Sequence, residues 1–257
     1  MDFISQLTSS DWFLLYVSAL IVGFAKTGIT GIGILAVPLF AMVFPAEKSA
    51  GILLPVLCFA DLVAVFYYRN HADWKQIWKL MPWVAVGLIS ATFIYYFGRQ
   101  EESLMGEFLQ SSMKPLMGII VLLVQAFGIW RKNHTQIPES KKASAAAGFS
   151  AGFTSMLANA AGPIMAIYLL MMKLPKKTFI GTKAWFFLII NYIKIPLMIF
   201  GADSIDSQSL NLNLKLFPAV LVGGFLGVRL VNIIPEAKFR VMVQVLVFIS
   251  CLKLIFG

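Results

Sequence analysis

Charged residues are scarce in this sequence, which excludes several kinds of protein at once. Of 257 residues, 13% are charged and 59% are hydrophobic, whereas a soluble domain usually has about 25% charged residues to cover its surface. An ordinary soluble enzyme and a disordered chain are therefore excluded. The net charge of +9 does not indicate nucleic-acid binding, because that needs a polar basic face and little polar sequence remains. The composition predicts a protein embedded in a lipid bilayer.

Cysteine and histidine are also scarce, with two residues of each, and the N-terminal sequence does not resemble a cleavable leader. Cys58 and Cys251 both lie in apolar runs, and no Cys/His cluster suggests a metal or redox site. The first eleven residues hold two aspartates and no Lys or Arg, whereas a secretory signal begins with a positively charged region. We therefore expect no metal and no cofactor, and we expect the first apolar segment to be retained.

The sequence has long apolar segments instead. Six of them have the length that crosses a hydrocarbon core of about 30 Å as a helix; they are 49–68, 80–97, 108–130, 178–200, 213–232 and 240–256. Two more, 12–44 and 143–172, are too long for one crossing and too short for two, and each has polar and glycine-rich residues near its middle. Non-helical backbone is tolerated at membrane depth only inside protein or a wet cavity. Each is predicted to be a broken, re-entrant hairpin with limbs of about 14 to 16 residues.

The two broken segments occupy matching places in an internal repeat. The spacing between matched residues is 129 or 130 early in the chain and 136 after a short insertion near 201–212. The pairs are Gly23 and Gly152, Gly33 and Gly162, Pro45 and Pro175, Gly51 and Gly181, Asp61 and Asn191, Pro82 and Pro218, and Gly87 and Gly223. The sequence thus predicts an all-α polytopic membrane protein of two repeats, 1–131 and 143–257, joined by a cytoplasmic linker, 132–142. Each repeat is a broken hairpin followed by three transmembrane helices.

Loop charge favours one orientation of the repeats over the other. If each broken segment crossed the membrane once, both sides would hold seven Lys or Arg residues. If each returns to its own side, the loops of one side hold twelve Lys or Arg residues and those of the other side two. Such an excess is expected of cytoplasmic loops. The second arrangement makes the repeats inverted and puts both termini outside the cytoplasm.

Polar and glycine residues at the two breaks are the candidates for a binding site. Where the second limb of each hairpin begins, its first backbone N–H groups have no partner within the helix and its dipole is positive. Glycine lets this backbone approach a ligand, and two such helix starts near the midplane would bind an anion. The candidates are Lys26, Thr27, Thr30, Gly31 and Gly33 at the first break and Ser155, Asn159 and Gly162 at the second. The open alternative is that the glycines serve helix packing and the hydroxyls bond to their own helix.

Further polar residues lie inside single spans. Asp61 is the only acid within an apolar span, and it either pairs with an intramembrane lysine or carries a proton and balances charge beside the site. Its repeat partner Asn191 shares a helix face with Lys194, three residues away, and both are counted with the binding site. Lys26 is favoured as an anion ligand because an ammonium near the membrane centre costs several kcal/mol unless it faces water or a partner. Lys183 lies nearer a span end, so its side chain is expected to reach the headgroups.

The motifs at these positions resemble the sulfite exporter TauE/SafE family over nearly the whole chain. In the first half the resemblance is carried by Gly23-Phe24-Ala25-Lys26-Thr27-Gly28, Gly31-Ile32-Gly33, Val37-Pro38-Leu39, Pro45, Ala50-Gly51, Asp61, Pro82 and Gly87. In the second half it is carried by Gly148, Gly152-Phe153, Gly162-Pro163, Gly181-Thr182 and Gly223-Gly224. The resemblance implies a bacterial inner-membrane protein that exports sulfite, sulfoacetate or a related sulfur anion with the proton motive force.

The expected function is therefore a secondary transporter of a small sulfur oxyanion, working by alternating access. Importers and channels for another small anion remain alternatives, as does a non-transporting membrane assembly factor. An intramembrane enzyme is disfavoured, since no span contains a His or paired carboxylates. The expected partners are the anion and the lipid bilayer, with a homodimer left open and nucleic acid excluded.

Overall fold

A computed structural model describes most of the chain as helix. It covers residues 3–28, 32–98, 112, 115–126, 130, 141–172, 174–201 and 204–230, with single residues and short stretches between 241 and 256. The helices are α1 Ser9–Thr27, α2 Ala36–Val43, α3 Ala46–Tyr68, α4 Trp74–Gly98, α5 Pro115–Ala126, α6 Lys141–Ala158, α7 Gly162–Met171, α8 Lys176–Pro196 and α9 Ser207–Leu230. No strand occurs in these ranges.

Four of the helices are long and apolar enough to cross a membrane. Their spans are Lys48–Tyr68, Trp74–Ile94, Lys177–Phe200 and Ser207–Arg229. They confirm the prediction of an all-α membrane protein and fall on four of the six predicted single spans. Of the other two, 108–130 is described as a helix only over Pro115–Ala126, and 240–256 is described only in part.

Both predicted helix breaks are present, but the limbs on either side of them are unequal. The first break follows Thr27, after which a 3-10 turn, Ile32–Leu35, leads into α2. The second lies between Ala158 and Gly162. The leading limbs α1 and α6 have 19 and 18 residues, and the returning limbs α2 and α7 only 8 and 10. The expectation of limbs of similar length is wrong. Helices α1 and α6 begin ahead of the predicted segments, at Ser9 and Lys141, and α6 stays helical to Ala158, within the second polar stretch.

The start of α1 is fixed by a local motif. The backbone N–H of Asp11 donates to the hydroxyl of Thr8 over 3.3 Å, and the N–H of Thr8 donates to the Asp11 carboxylate over 2.9 Å. This reciprocal pair is a capping box, which satisfies donors that would otherwise be unpaired at the helix start. Since α1 carries Lys26 in its last turn, the cap also sets where that lysine falls along the helix.

Each leading limb packs on a helix of the other half through glycine. Along α1 and α9, a Cβ added at Gly23 would overlap the carbonyl oxygen of Val220, and along α6 and α4 a Cβ at Gly152 would overlap that of Val84. The two glycines are 129 residues apart and the two valines 136, the spacings of the sequence repeat. The division into two inverted repeats stays a prediction, and these matched contacts support it.

The centre of the bundle is formed by α3 and α8, which pack against each other. Both helices begin after a proline of the same backbone conformation, Pro45 at φ −53°, ψ 144° and Pro175 at φ −54°, ψ 146°. The proline carbonyls accept from Ser49 and Phe179, each over 2.8 Å. Because α3 carries Asp61 and α8 carries Asn191 and Lys194, this packing brings the predicted polar residues together.

Candidate functional site

A small cavity lies where both helix breaks meet α3 and α8. Its volume is about 60 Å³, enough for a few water molecules or a ligand of similar size. The polar side chains that line it are those of Lys26, Ser155, Asn159, Lys183 and Asn191. The rest of the wall comes from Val22, Ala25, Gly33, Ile34, Leu57, Gly162, Pro163 and Phe187. The cavity therefore joins residues of both halves of the chain.

Lys26 enters this cavity from the last turn of α1 and forms an ion pair. Its ammonium lies 2.7 Å from Oδ1 of Asp61 and 4.4 Å from the ring centroid of Phe187. The side chain of Asp61 is 0% exposed and that of Lys26 13%. The amide of Asn191 donates to the other carboxylate oxygen of Asp61 over 2.7 Å. Asp61 thus forms the structural pair with an intramembrane lysine that was one of its two predicted roles. Its repeat partner, Asn191, binds the same carboxylate.

Lys194 lies behind the cavity wall and holds the second break. Its ammonium donates to the carbonyl oxygen of Ser155 over 2.6 Å, to the Ser155 hydroxyl over 3.2 Å, and to the side-chain oxygen of Asn159. The Asn159 amide in turn donates to the carbonyl of Ala50 over 2.9 Å. Asn159 has a positive φ of 49°, a conformation in which Asn is enriched. These bonds fix the end of α6 against α3 and α8.

The two predicted glycines of the site have different surroundings. A Cβ added at Gly162 would meet no atom within 4 Å, so this glycine leaves open space at the start of α7. At Gly33 an added Cβ would come within 3.2 Å of the Cβ of Ala25, so here the small residue permits close packing beside the cavity. Both residues line the cavity.

Thr27 is not among the residues that line the cavity. Its hydroxyl donates to the carbonyl of Gly224 over 2.8 Å and to that of Gly23 over 3.2 Å. It therefore serves the contact between α1 and α9. Its bond to Gly23 is the bond to its own helix that was the alternative to a binding role. Thr30 and Gly31 lie outside the described residues.

Lys183 is the polar cavity residue that is not among the candidates from the sequence. It was expected to reach the headgroups, but it is 4% exposed and lines the cavity. Its ammonium lies 3.5 Å from the carbonyl oxygen of Ala25. A signal was available in the sequence, since Lys183, Phe187, Asn191 and Lys194 follow one another at spacings of four, four and three residues. That spacing puts them on one face of a helix.

The charges around the cavity do not balance. Lys26, Lys183 and Lys194 lie in or beside it, and Asp61 is the only buried acid in the described ranges. Three lysines and one aspartate thus meet here, so basic side chains outnumber acidic ones. An excess of basic over acidic side chains suits a negatively charged ligand. Over the same ranges no group of three or more His, Cys, Asp or Glu side chains could hold a metal ion.

Fold and cavity together define a polytopic α-helical membrane protein with a charged internal cavity at two helix breaks, features typical of secondary transporters. The sequence model of the family described as sulfite exporter TauE/SafE matches residues 15–254. The chain belongs to this family, which confirms the resemblance carried by its motifs. The family is one of transporters and not of enzymes, and sulfur anions are the cargo it suggests. No curated protein and no solved structure gives a significant match.

Proposed function

We propose that this protein is a secondary transporter that exports a small sulfur-containing anion, such as sulfite, sulfoacetate or a related organosulfonate, across a bacterial inner membrane. The observation that carries the proposal is the cavity at the two helix breaks, with its excess of buried lysine over buried acid. Family membership supplies the chemical class of the cargo.

The geometry of the second break supports an anion as cargo. The start of α7 at Gly162 and Pro163 borders the cavity, and a helix start presents unpaired N–H groups and a positive dipole. Pro163 suits the first turn of the helix, because an N–H at that position would have no partner within the helix. Gly162 has no side chain and leaves open space for a ligand to approach. Lys26 adds an ammonium from the opposite break. An anion between them would contact donors from both halves.

Alternating access between inverted halves, driven by the proton motive force, is the proposed mechanism. Helices α1 and α6 line the cavity, and each packs on a helix of the other half. A movement of one half would therefore change the shape of the cavity. The twelve to two division of Lys and Arg between the loops supports a cytoplasmic linker and periplasmic termini. Asp61 would balance charge or carry the coupled proton, and a homodimer is the proposed assembly.

Flux through purified protein tests the proposal. Proteoliposomes that contain the wild-type chain should take up or release sulfite or sulfoacetate, and Lys26→Ala should reduce this flux to the level of empty liposomes. The matched control is Lys75→Ala, because Lys75 is an exposed lysine near the start of α4. Insertion of each variant is checked by its elution as a folded species in detergent.

The possible outcomes separate the parts of the proposal. Wild-type flux in an inserted Lys26→Ala protein would contradict the site. Flux of neither anion through wild type would contradict the transport function and favour an assembly factor. Flux only toward the cytoplasmic side would contradict export.

A further inference from the structure

The two most extensive helix contacts in the described ranges join helices of different sequence repeats. These cross-repeat pairs are α1 with α9 and α4 with α6, whereas α1 and α4 belong to the first predicted repeat and α6 and α9 to the second. Besides the glycine contacts given above, a Cβ added at Gly223 would overlap the carbonyl oxygen of Leu20, and one at Gly87 would overlap that of Phe149. Both helices of each pair thus contribute a glycine, and such close backbone contact leaves little room for one helix to slide past the other.

Hydrogen bonds reinforce both cross-repeat pairs. In the first pair, the Thr27 hydroxyl of α1 donates to the carbonyl of Gly224 on α9 over 2.8 Å. In the second pair, the Tyr168 hydroxyl of α7 donates to the side-chain oxygen of Gln76 on α4 over 2.8 Å, and it lies 3.3 Å from the hydroxyl of Ser144 on α6. The last three side chains are buried. Helix α7 is therefore tied to both helices of the second pair.

The cavity lies between the two cross-repeat pairs. Its lining includes Val22 and Lys26 of α1 on one side, and Ser155 of α6 and Gly162 of α7 on the other. Lys26 also reaches α8 through its side chain, 4.4 Å from the ring centroid of Phe187, and a flexible lysine stem can change such a contact. Closely packed elements resist deformation, so the space between the pairs is where the fold permits movement.

We propose that the units that move against each other during transport are the two cross-repeat pairs, α1 with α9 and α4 with α6 and α7, and not the sequence repeats. The inference rests on the proposed function, since it concerns the same transport cycle, and adds to it which helices move together. If each repeat moved as one body, α1 would separate from α9 and α6 from α4, which would break the backbone contacts of both pairs. Movement between the pairs leaves these contacts intact and changes the cavity.

Spin labels at one exposed position on each helix separate the two kinds of movement. The positions are Phe13 on α1, Val222 on α9, Phe93 on α4 and Ala146 on α6. Two double variants label a cross-repeat pair, Phe13→Cys with Val222→Cys and Phe93→Cys with Ala146→Cys. Two label one repeat, Phe13→Cys with Phe93→Cys and Ala146→Cys with Val222→Cys. Distances are measured by double electron–electron resonance on the full chain in lipid nanodiscs, with and without sulfite.

The two native cysteines, both buried, are first replaced by Cys58→Ala and Cys251→Ala. Adding sulfite should leave both cross-repeat distances unchanged and should shift both within-repeat distances by more than about 2 Å, the scale of a domain rearrangement. Without sulfite, the within-repeat distributions should also be the broader ones. Each position occurs once in each kind of variant, so a disturbance caused by one label would affect both kinds alike.

Two results would overturn the inference. In one, the cross-repeat distances shift and the within-repeat distances stay fixed, as expected if each repeat moves as a body. In the other, a cross-repeat distance changes as much as the within-repeat distances do, or none of the four changes. Sulfite flux through wild type and each double variant is measured separately in proteoliposomes. Absence of flux in wild type would contradict transport, while the widths of the distributions without sulfite would still decide which helices move together.

Discussion

Replacing Asp61 with Asn tests how strongly the buried charges of the cavity depend on one another. Both carboxylate oxygens of Asp61 have a partner, the Lys26 ammonium at 2.7 Å and the Asn191 amide at 2.7 Å. An Asn side chain has an oxygen at only one of these two positions, so one of the two donors loses the acceptor it contacts. Its NH₂ group would face the other donor, and Lys26 would lose its counter-ion.

The expected magnitude follows from burial. Removing one partner of a buried ion pair destabilises a protein by about 3–5 kcal/mol, because the other charge stays buried. Asp61 is fully buried, whereas Lys26 keeps 13% exposure, so Asp61→Asn should fall near the lower end, about 3 kcal/mol. In the double variant with Lys26→Met both members of the ion pair are removed, and the Asn oxygen can accept from Asn191. The double variant should therefore be more stable than Asp61→Asn alone by about 2 kcal/mol.

The free energy of unfolding can be measured by SDS titration in mixed micelles, with the fluorescence of the six tryptophans as the signal. Lys75→Met is the control for the loss of a lysine from an exposed position, and it should change stability little. If the effects of Lys26→Met and Asp61→Asn simply add in the double variant, the ion pair does not stabilise the fold in the way proposed.

Three further predictions concern coupling, helix packing and the open space at the cavity. Asp61→Asn should leave a flux that an imposed pH gradient no longer accelerates, measured with a pH-sensitive dye at equal amounts of folded protein; normal acceleration would contradict a coupling role for Asp61. Gly152→Ala should lower stability by about 1–3 kcal/mol, because its methyl group would overlap the Val84 carbonyl. Gly162→Ala should leave stability unchanged but slow transport, since its methyl group would enter open space in the cavity; the opposite pattern in melting and flux measurements would refute this placement.

Much of the candidate site could be predicted from which residues are polar inside apolar segments. Lys26 and Asp61 stood out because each is a charge in a long apolar run, and the structure brings them to 2.7 Å. The breaks could be predicted because a polar, glycine-rich stretch cannot continue a lipid-facing helix. Asn191 was found through the repeat, as the residue 130 positions after Asp61.

The rest depended on side-chain direction and helix rotation. Thr27 follows Lys26 directly, yet it faces α9 while Lys26 faces the cavity, because successive residues of a helix point about 100° apart. Lys183 was predicted to reach the headgroups because it lies near the end of a span. Its position along the span does not tell which face of α8 meets the other helices. The lengths of the limbs were misjudged for a similar reason: the bonds of Lys194 to Ser155 and Asn159 hold the end of α6 through contacts that are distant in sequence.

The sequence by itself determined that this protein lies in a membrane, that it is helical, and that two of its helices break near matching glycines. These properties follow from composition, segment length and local backbone preference, which act on neighbouring residues. Only the tertiary structure decided which polar residues share one cavity and in what balance of charge. That outcome depends on the packing of α1 and α6 against helices of the other half and of α3 against α8. It brings Lys26 and Lys183, 157 residues apart in the chain, to the same small cavity.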